Sequence, residues 1–486
     1  MIKITRSRPP LPPRILARTL FRKCALLSVG SSESEVVRDL RVAVVGAGPA
    51  GIYAADILTK ACEERESRAG VDLFERLPAP YGLVRYGVAP DHPRIKEIIT
   101  ALRRILSKPG LRFFGNVTYG VDVKLADLRQ HYDAVIFATG AAADRPLEIP
   151  GIELPGSYGA ADFVSWYDGH PDVPRTWPLD AREVAVIGAG NVALDIARVL
   201  AKTADEQLVT EIPDNVYQGL KANQATDVHV FARRGPAQIK FTPLELRELD
   251  HSPNVDVIVH PEGFELDEAS ERTVQKSRQA RMVVNTLFGW IDKLPKGAPH
   301  RIHIHFCAAP AAILGVDRVE GLRTERTELV GDGQVRGTGE FTDWPVQAVY
   351  RAVGYLSSPL ADVPFDHVGG VIPNQAGRVL DLDDFAVTGV YTTGWIKRGP
   401  VGLIGHTKSD AAETIDSLLA DIDELPRPEY ANPSSIVQHL RGRGIAFTSY
   451  DGWERLDSHE IALGEAAGRR RIKVVPREEM VAICGD

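Results

Sequence analysis

The sequence predicts an α/β protein of two three-layer units, the second inserted into the first. Two strand–turn–helix fingerprints sit in one chain, Gly46-Ala-Gly48-Pro-Ala50-Gly51 and Gly188-Ala189-Gly190-Asn191-Val192-Ala193. Strand-like segments return after the second fingerprint, closing on Gly354 and Gly394. A breaker-rich stretch, Pro146–Pro155, reads as the link between the units. In each fingerprint, bare backbone N–H groups and a helix N-terminus can cradle a pyrophosphate, so the units read as two dinucleotide-binding domains of Rossmann type.

The first unit opens with the apolar run Arg41–Val45, the glycine turn and a helical stretch from Gly51 to Lys60. A second strand, Val71–Phe74, ends in Glu75, where a ribose-binding acid belongs. A carboxylate there accepts both ribose hydroxyls, as FAD and NAD sites require. The loop Pro78–Pro93 leads to a helix expected over Arg94–Leu106, then strands at Leu111–Phe114 and Ala134–Ala138.

The second fingerprint closes the strand Val184–Ile187 and differs in kind. Its third glycine is Ala193. Its next strand, Val228–Phe231, ends in Arg233-Arg234-Gly235 rather than an acid. Two guanidiniums can grip a 2′-phosphate that an acid would repel, so this site reads as one for NADP(H). Thr203–Ala225 reads as a helical or loop excursion, with strands near 255–260, 301–307 and 316–329. Pro345–Tyr355 and Val390–Trp395 read as return strands of the first unit, followed by a helix from Ser409. The expected boundaries are a basic extension over 1–36, the FAD-binding unit over 37–145 and 350–486, and the NADP-binding unit over 146–349.

Composition excludes several classes. Net charge of −8 argues against general nucleic-acid binding, and no run of apolar residues is long enough to span a membrane. Cys24, Cys62, Cys307 and Cys484 form no CxxC pair or metal cluster, so no metal is expected. The missing pair also excludes a dithiol relay, leaving a flavoprotein of a reducing compartment. The leader carries Lys3, Arg6, Arg8, Arg14, Arg18, Arg22 and Lys23 before its first acid, Glu33. Its charge resembles a mitochondrial presequence, while Pro9–Pro13 would break an amphipathic helix. Cytoplasm is therefore the expected location, with the mitochondrial matrix as the alternative if the leader is a presequence.

Five stretches resemble the adrenodoxin-reductase-like ferredoxin–NADP+ reductases. They are Val44–Gly51, Pro80–Pro93, Gly190–Arg198, Arg233–Leu249 and Gly394–Pro400. Trp453 and Glu460 in the tail are similar to actinobacterial-type members. Where the family has Ile-Gly-Thr-Asn, this chain has Ile404-Gly405-His406-Thr407. The resemblance implies hydride transfer from NADPH to FAD, then single electrons to a ferredoxin-type iron–sulfur protein, in a monomer. It implies FAD contacts at Gly46, Gly48, Ala50, Gly51, Glu75, Leu83, Val117, Trp395, Gly402, Leu403 and Ile404. It implies NADP(H) contacts at Arg145, Ala189, Gly190, Asn191, Val192, Arg233, Arg234 and Glu245. His92 and Glu248 match a polar pair near the nicotinamide, placed to orient the ring or relay a proton. Arg94, Lys96, Arg103, Arg104 and Arg112 are candidates for a basic surface facing an acidic partner. A reductase of quinones or other small acceptors, and a flavin-bound redox sensor without turnover, are the alternatives.

Overall fold

The protein is described by a computed structural model over residues 38–402 and 404–485. The basic extension, Cys24 and Leu403 lie outside the described residues. Two large sheets organise the chain. The first runs Asn374–Gln375, Arg378–Leu380, Ala386–Thr392, Ala134–Phe137, Leu40–Val45, Ala69–Glu75, Leu111–Gly115. Its last five strands are parallel, and the two short ones form an antiparallel edge. Because Leu40–Val45 lies between Ala69–Glu75 and Ala134–Phe137, chain order reverses at its C-terminal end. Crevices for ligands open at such points, and the first glycine turn stands there.

Alternation along Leu40–Val45 divides two apolar layers. Val42 and Val44 face Ile52, Ala55, Ala411 and Ile415 of the helices Pro49–Glu63 and Ile404–Ala420. Ala43 and Val45 face Leu128, Ile436 and Leu440 on the other side. The central stretches Val42–Val45 and Ala134–Phe137 are therefore apolar throughout, as parallel strands covered on both faces require.

The second sheet is parallel in all six strands: Ser157–Gly159, Ala348–Arg351, Glu183–Ile187, Asp227–Phe231, His300–His305, Val255–Val259. One face packs on helices through Val184, Val186, Val228 and Val230. The opposite face is covered by an antiparallel sheet, Ala308–Leu314, Gly321–Leu329 and Val335–Trp344, through Ile313 and Leu322. Its third layer is thus a sheet. The strand expected over 316–329 begins only at Gly321, and both its neighbours escape the sequence reading.

Several expectations shift. Pro345–Tyr355 is not a return strand of the first sheet: Ala348–Arg351 pairs with Glu183–Ile187 in the second. The boundary near 350 therefore falls beyond Arg351. There Tyr355–Leu356 pairs antiparallel with Ala143–Asp144, so the two crossings form one ribbon. The helix expected over Arg94–Leu106 is Pro93–Lys96 followed by Ile98–Leu106. Thr203–Ala225 holds two helices, Ala204–Gln207 and Asp214–Lys221.

The tail joins the first unit's core through Trp453, Leu456 and Met480. Glu460, fully buried, meets Arg85 at 2.5 Å and Arg471 at 2.9 Å. Lys473 donates to the Arg85 carbonyl at 2.8 Å and the Asp168 carbonyl at 3.0 Å, tying tail, first unit and second unit together. Burial pulls its ammonium down to about 8.

Candidate functional site

The first turn is built by elimination of side chains. A Cβ on Gly51 would overlap the Gly46 carbonyl oxygen, so the helix Pro49–Glu63 can sit this close to its strand only with glycine there. Gly48 caps the helix without a side-chain hydrogen bond, and Pro49 follows. That leaves helix-end donors for an anion. Parallel pairing of Val45 with Phe74 brings Glu75 beneath the turn. Its carboxylate accepts from the Ala47 N–H at 3.0 Å and the Leu77 N–H at 3.2 Å. Burial pushes its pKa up, against those bonds.

Other expected residues gather at the same turn. The Val117 N–H donates to the Glu75 carbonyl at 2.9 Å. Leu83 opens the short helix Leu83–Tyr86 after Gly82, whose backbone packs on Gly48. Trp395 opens the helix Trp395–Arg398 after Gly394, which closely approaches the Ala50 side chain. Gly402 is exposed at a bend with φ of 89°, close to the His406 ring, and Ile404 begins the helix Ile404–Ala420. An uncapped helix end, a carboxylate beneath it and glycines in close approach fit the diphosphate and ribose of FAD.

At the second turn, Gly188 has φ of 150°, and a Cβ there would overlap the Ala352 carbonyl oxygen. Gly190 caps the helix Asn191–Ala201, again with no side-chain bond. Ala189 accepts from the Lys240 N–H at 2.8 Å, and Val192 is half-buried in the first turn of the helix. The Asn191 side chain accepts from the Thr242 N–H at 2.9 Å. It therefore joins the turn to the helix Pro243–Glu248. Arg233 and Arg234 follow the strand Asp227–Phe231, and neither meets a carboxylate among the described residues. Arg233 is exposed. The Nε of Arg234 is buried without a partner, as fits a guanidinium built to receive a phosphate. Arg145 lies beside the ribbon, its N–H bonded to the Gly354 carbonyl at 2.8 Å.

Between the turns lies a polar cluster that spans both units. His92, buried, comes from the loop of the first unit. Its Nδ1 is 2.7 Å from Glu248, and its Nε2 is 2.5 Å from Glu245 and 2.8 Å from Asp195. The Thr242 hydroxyl accepts from the Glu245 N–H, capping the helix on which Glu245 and Glu248 lie three residues apart, on one face. Burial opposes the charge on His92, but bonds to Asp195, Glu245 and Glu248 outweigh it and raise the imidazole to about 11. The carboxylates favour the charged ring, while the Arg198 Nη2, 2.6 Å from the same Nε2, opposes it. Glu245 is here a partner of His92, whereas the resemblance implied a nucleotide contact.

Asp195 and Arg198 lie in the stretch Gly190–Arg198 that carries the family resemblance, which implied no role for either. Arg198 makes paired bonds to Asp91 at 2.7 and 2.8 Å, and another to Asp195 at 2.8 Å. Their i, i+3 spacing on the helix that leaves the second turn was the available signal. One ligand atom each of His92, Glu245 and Glu248 lie within 4.8 Å of one another, a spacing a metal could use. The imidazole already spends both nitrogens on carboxylates, and Arg198 brings positive charge to the same edge, so the cluster reads as an ion-pair network.

The expected basic surface is largely spent. Lys96 is buried against Glu211 at 2.5 Å and Asp168 at 3.3 Å. Arg103 pairs with Glu454 and Asp457, and Arg112 with Asp72. Only Arg94 and Arg104 of that set stay exposed without a described carboxylate partner.

Residues 40–233 match the pyridine nucleotide-disulphide oxidoreductase family. The chain is similar to the NADPH-ferredoxin reductase FprA of Mycobacterium tuberculosis (strain ATCC 25618 / H37Rv), 39% identical over 92% of this chain and 99% of that protein. It is also similar to the mitochondrial NADPH:adrenodoxin oxidoreductase of Arabidopsis thaliana, 38% identical over 92% and 95%. A solved structure of FprA in complex with NADPH superposes with a TM-score of 0.84 at 38% identity, covering 92% of this chain and 99% of that one.

Proposed function

The chain belongs to the family of NADPH-ferredoxin and NADPH:adrenodoxin reductases, and from that premise we propose how its residues divide the work. It is a flavoprotein oxidoreductase that moves electrons from NADPH through FAD to a ferredoxin-type iron–sulfur protein. Bound at the first turn, FAD supplies the conversion of a two-electron hydride donor into single electrons.

The first unit, with Glu75, holds FAD as a resident. The turn from Gly46 to Gly51 faces the pyrophosphate, Glu75 accepts the ribose hydroxyls, Leu83 adds a contact, Val117 lies near the adenine, and Trp395, Gly402, Leu403 and Ile404 border the isoalloxazine. The second unit, with Ala189–Val192 at its turn, admits NADP(H) and releases it. Arg233 and Arg234 grip the 2′-phosphate, with Arg145 as a further contact. His92 and Glu248 border the nicotinamide. Held in place by three carboxylates, the His92 ring fixes the nicotinamide's approach. The chain works as a monomer in the cytoplasm. Among the described residues no helix is long and apolar enough to cross a membrane.

The observation that carries this reading is the unlike pair of turns, one backed by Glu75 and one followed by Arg233-Arg234, with a shared polar cluster between them. The test is anaerobic mixing of the purified yellow protein with NADPH and with NADH. Bleaching by NADPH, followed by reduction of an added ferredoxin, is expected. A folded, colourless protein that cannot be reconstituted with FAD overturns it.

A further inference from the structure

Arg198 is 1% exposed, yet it serves neither nucleotide in the reading above. Its fork takes both carboxylate oxygens of Asp91, from the loop that carries His92. The same Nη2 reaches Asp195, whose Oδ1 also meets His92. Lys202, four residues further along, adds a third bond to Asp91 at 2.8 Å. The helix holding Asp195 and Arg198 starts at the second glycine turn, and Lys202 follows directly at its C-terminal end. Arg198 stands seven residue steps along the helix from Asn191, about 10 Å of stiff rod. One end of the rod lies at the NADP(H) turn. The other is bolted to the loop of the FAD-binding unit.

We propose that Arg198 is a positioning residue for hydride transfer: it locks the Asp91–His92 loop to the helix of the second glycine turn and so sets how the two bound rings approach. The inference rests on the functional reading above. A lysine would keep the charge but lose the fork, because one ammonium cannot meet both Asp91 oxygens and Asp195 in this fixed geometry. Removing the guanidinium also leaves Asp91 and Asp195 as buried acids short of a partner. Neither change touches the glycine turns or Arg233 and Arg234, so binding of each nucleotide should survive while their mutual alignment does not.

The experiment uses the FAD-loaded full chain with Arg198→Lys and, separately, Asp91→Asn, which preserves shape and leaves the Arg198 bond to Asp195. Three quantities are read: the rate of flavin reduction by NADPH, the NADP+ dissociation constant by calorimetry, and amide hydrogen exchange along the chain. Misalignment should slow reduction about 10- to 100-fold with NADP+ affinity nearly unchanged. Exchange should quicken at 88–97 and 191–201 and not across the sheets. Wild-type rates in either folded, yellow variant overturn the role, as does a rate loss matched by an equal loss of NADP+ affinity. If Arg198→Lys does not fold, Asp91→Asn decides alone. A wild-type flavin that NADPH fails to bleach overturns the functional reading itself, and this inference with it.

Discussion

His92 Nδ1 lies 2.7 Å from Glu248 Oε2, across the boundary between the two units. The pair belongs to neither unit alone, so its charge state reports on their docking. The imidazole is raised to about 11 from an ordinary value of 6.5. A pKa raised by folding adds stability that is fully present below pH 6.5 and fades as pH climbs toward 11. Thermal unfolding midpoints should therefore fall across that window, and His92→Gln should flatten the slope. An equal alkaline slope in the variant contradicts the assignment.

A second histidine group should act at the other end of the pH scale. Glu183, His229 and His305 are linked in series, with contacts of 3.0 Å each. Asp227, His303 and His260 form a parallel series with contacts of 3.0 and 3.1 Å. The two series stack, His229 on His303 at 4.5 Å and His260 on His305 at 4.2 Å. Arg301 pairs with Asp227 at one end, and Trp344 packs on His305. Burial pushes His303 down to about 4, with the bond to Asp227 only partly opposing it. A lowered pKa gives stability that is present above pH 6.5 and lost as pH falls through 4. Denaturant midpoints measured from pH 7 to 4 should drop, and His303→Asn should drop less.

The 2′-phosphate assignment is tested by contrast between cofactors. Alanine at Arg233 or Arg234 removes a charge-assisted bond and should raise the NADPH KM about tenfold or more per guanidinium. The NADH KM should barely move. Equal shifts for both cofactors would place the arginines away from the phosphate.

Gly51→Ala addresses the first turn. Its new methyl must displace the Gly46 carbonyl, and the turn cannot open without parting helix from strand. The variant should purify with little FAD, read as the ratio of visible to ultraviolet absorbance. Full FAD content would show that the close approach is dispensable.

The buried Arg85–Glu460 pair anchors the tail. Glu460→Gln leaves Arg85 inside without its counter-charge and should cost about 3–5 kcal/mol in chemical denaturation. A loss of under about 1 kcal/mol, the worth of a surface pair, would mean the site is wetter than its burial implies.

Glycines at fixed spacing, and Glu75 after the next strand, were readable because each answers a local backbone demand. Arg233 and Arg234 stand out in the sequence for a related reason: they occupy the place after the strand where an acid would otherwise be. The antiparallel cover over 308–344 was not readable. Its exposed strand Val335–Trp344 carries Gly337, Gly339 and several charges, and shows no clean alternation. Asp195 and Arg198 were in view, but their use depends on His92, 103 residues away from Asp195 along the chain. Lys96 was read as a surface charge because a helix pattern cannot show that Asp168 and Glu211 from the other unit cover it.

The ribbon of Ala143–Asp144 on Tyr355–Leu356 decides how the inserted unit can move. Two crossings set well apart would act as a door's two hinges, allowing rotation about one line. Paired side by side, they act as a single stalk, on which the unit can tilt in several directions. Alignment then cannot come from the covalent connection. It must come from the seam, where Arg198 and His92 grip on one side and Lys473 on the other. An enzyme built this way sets its working geometry with side chains that a single substitution can loosen, while the stalk keeps the two halves from parting.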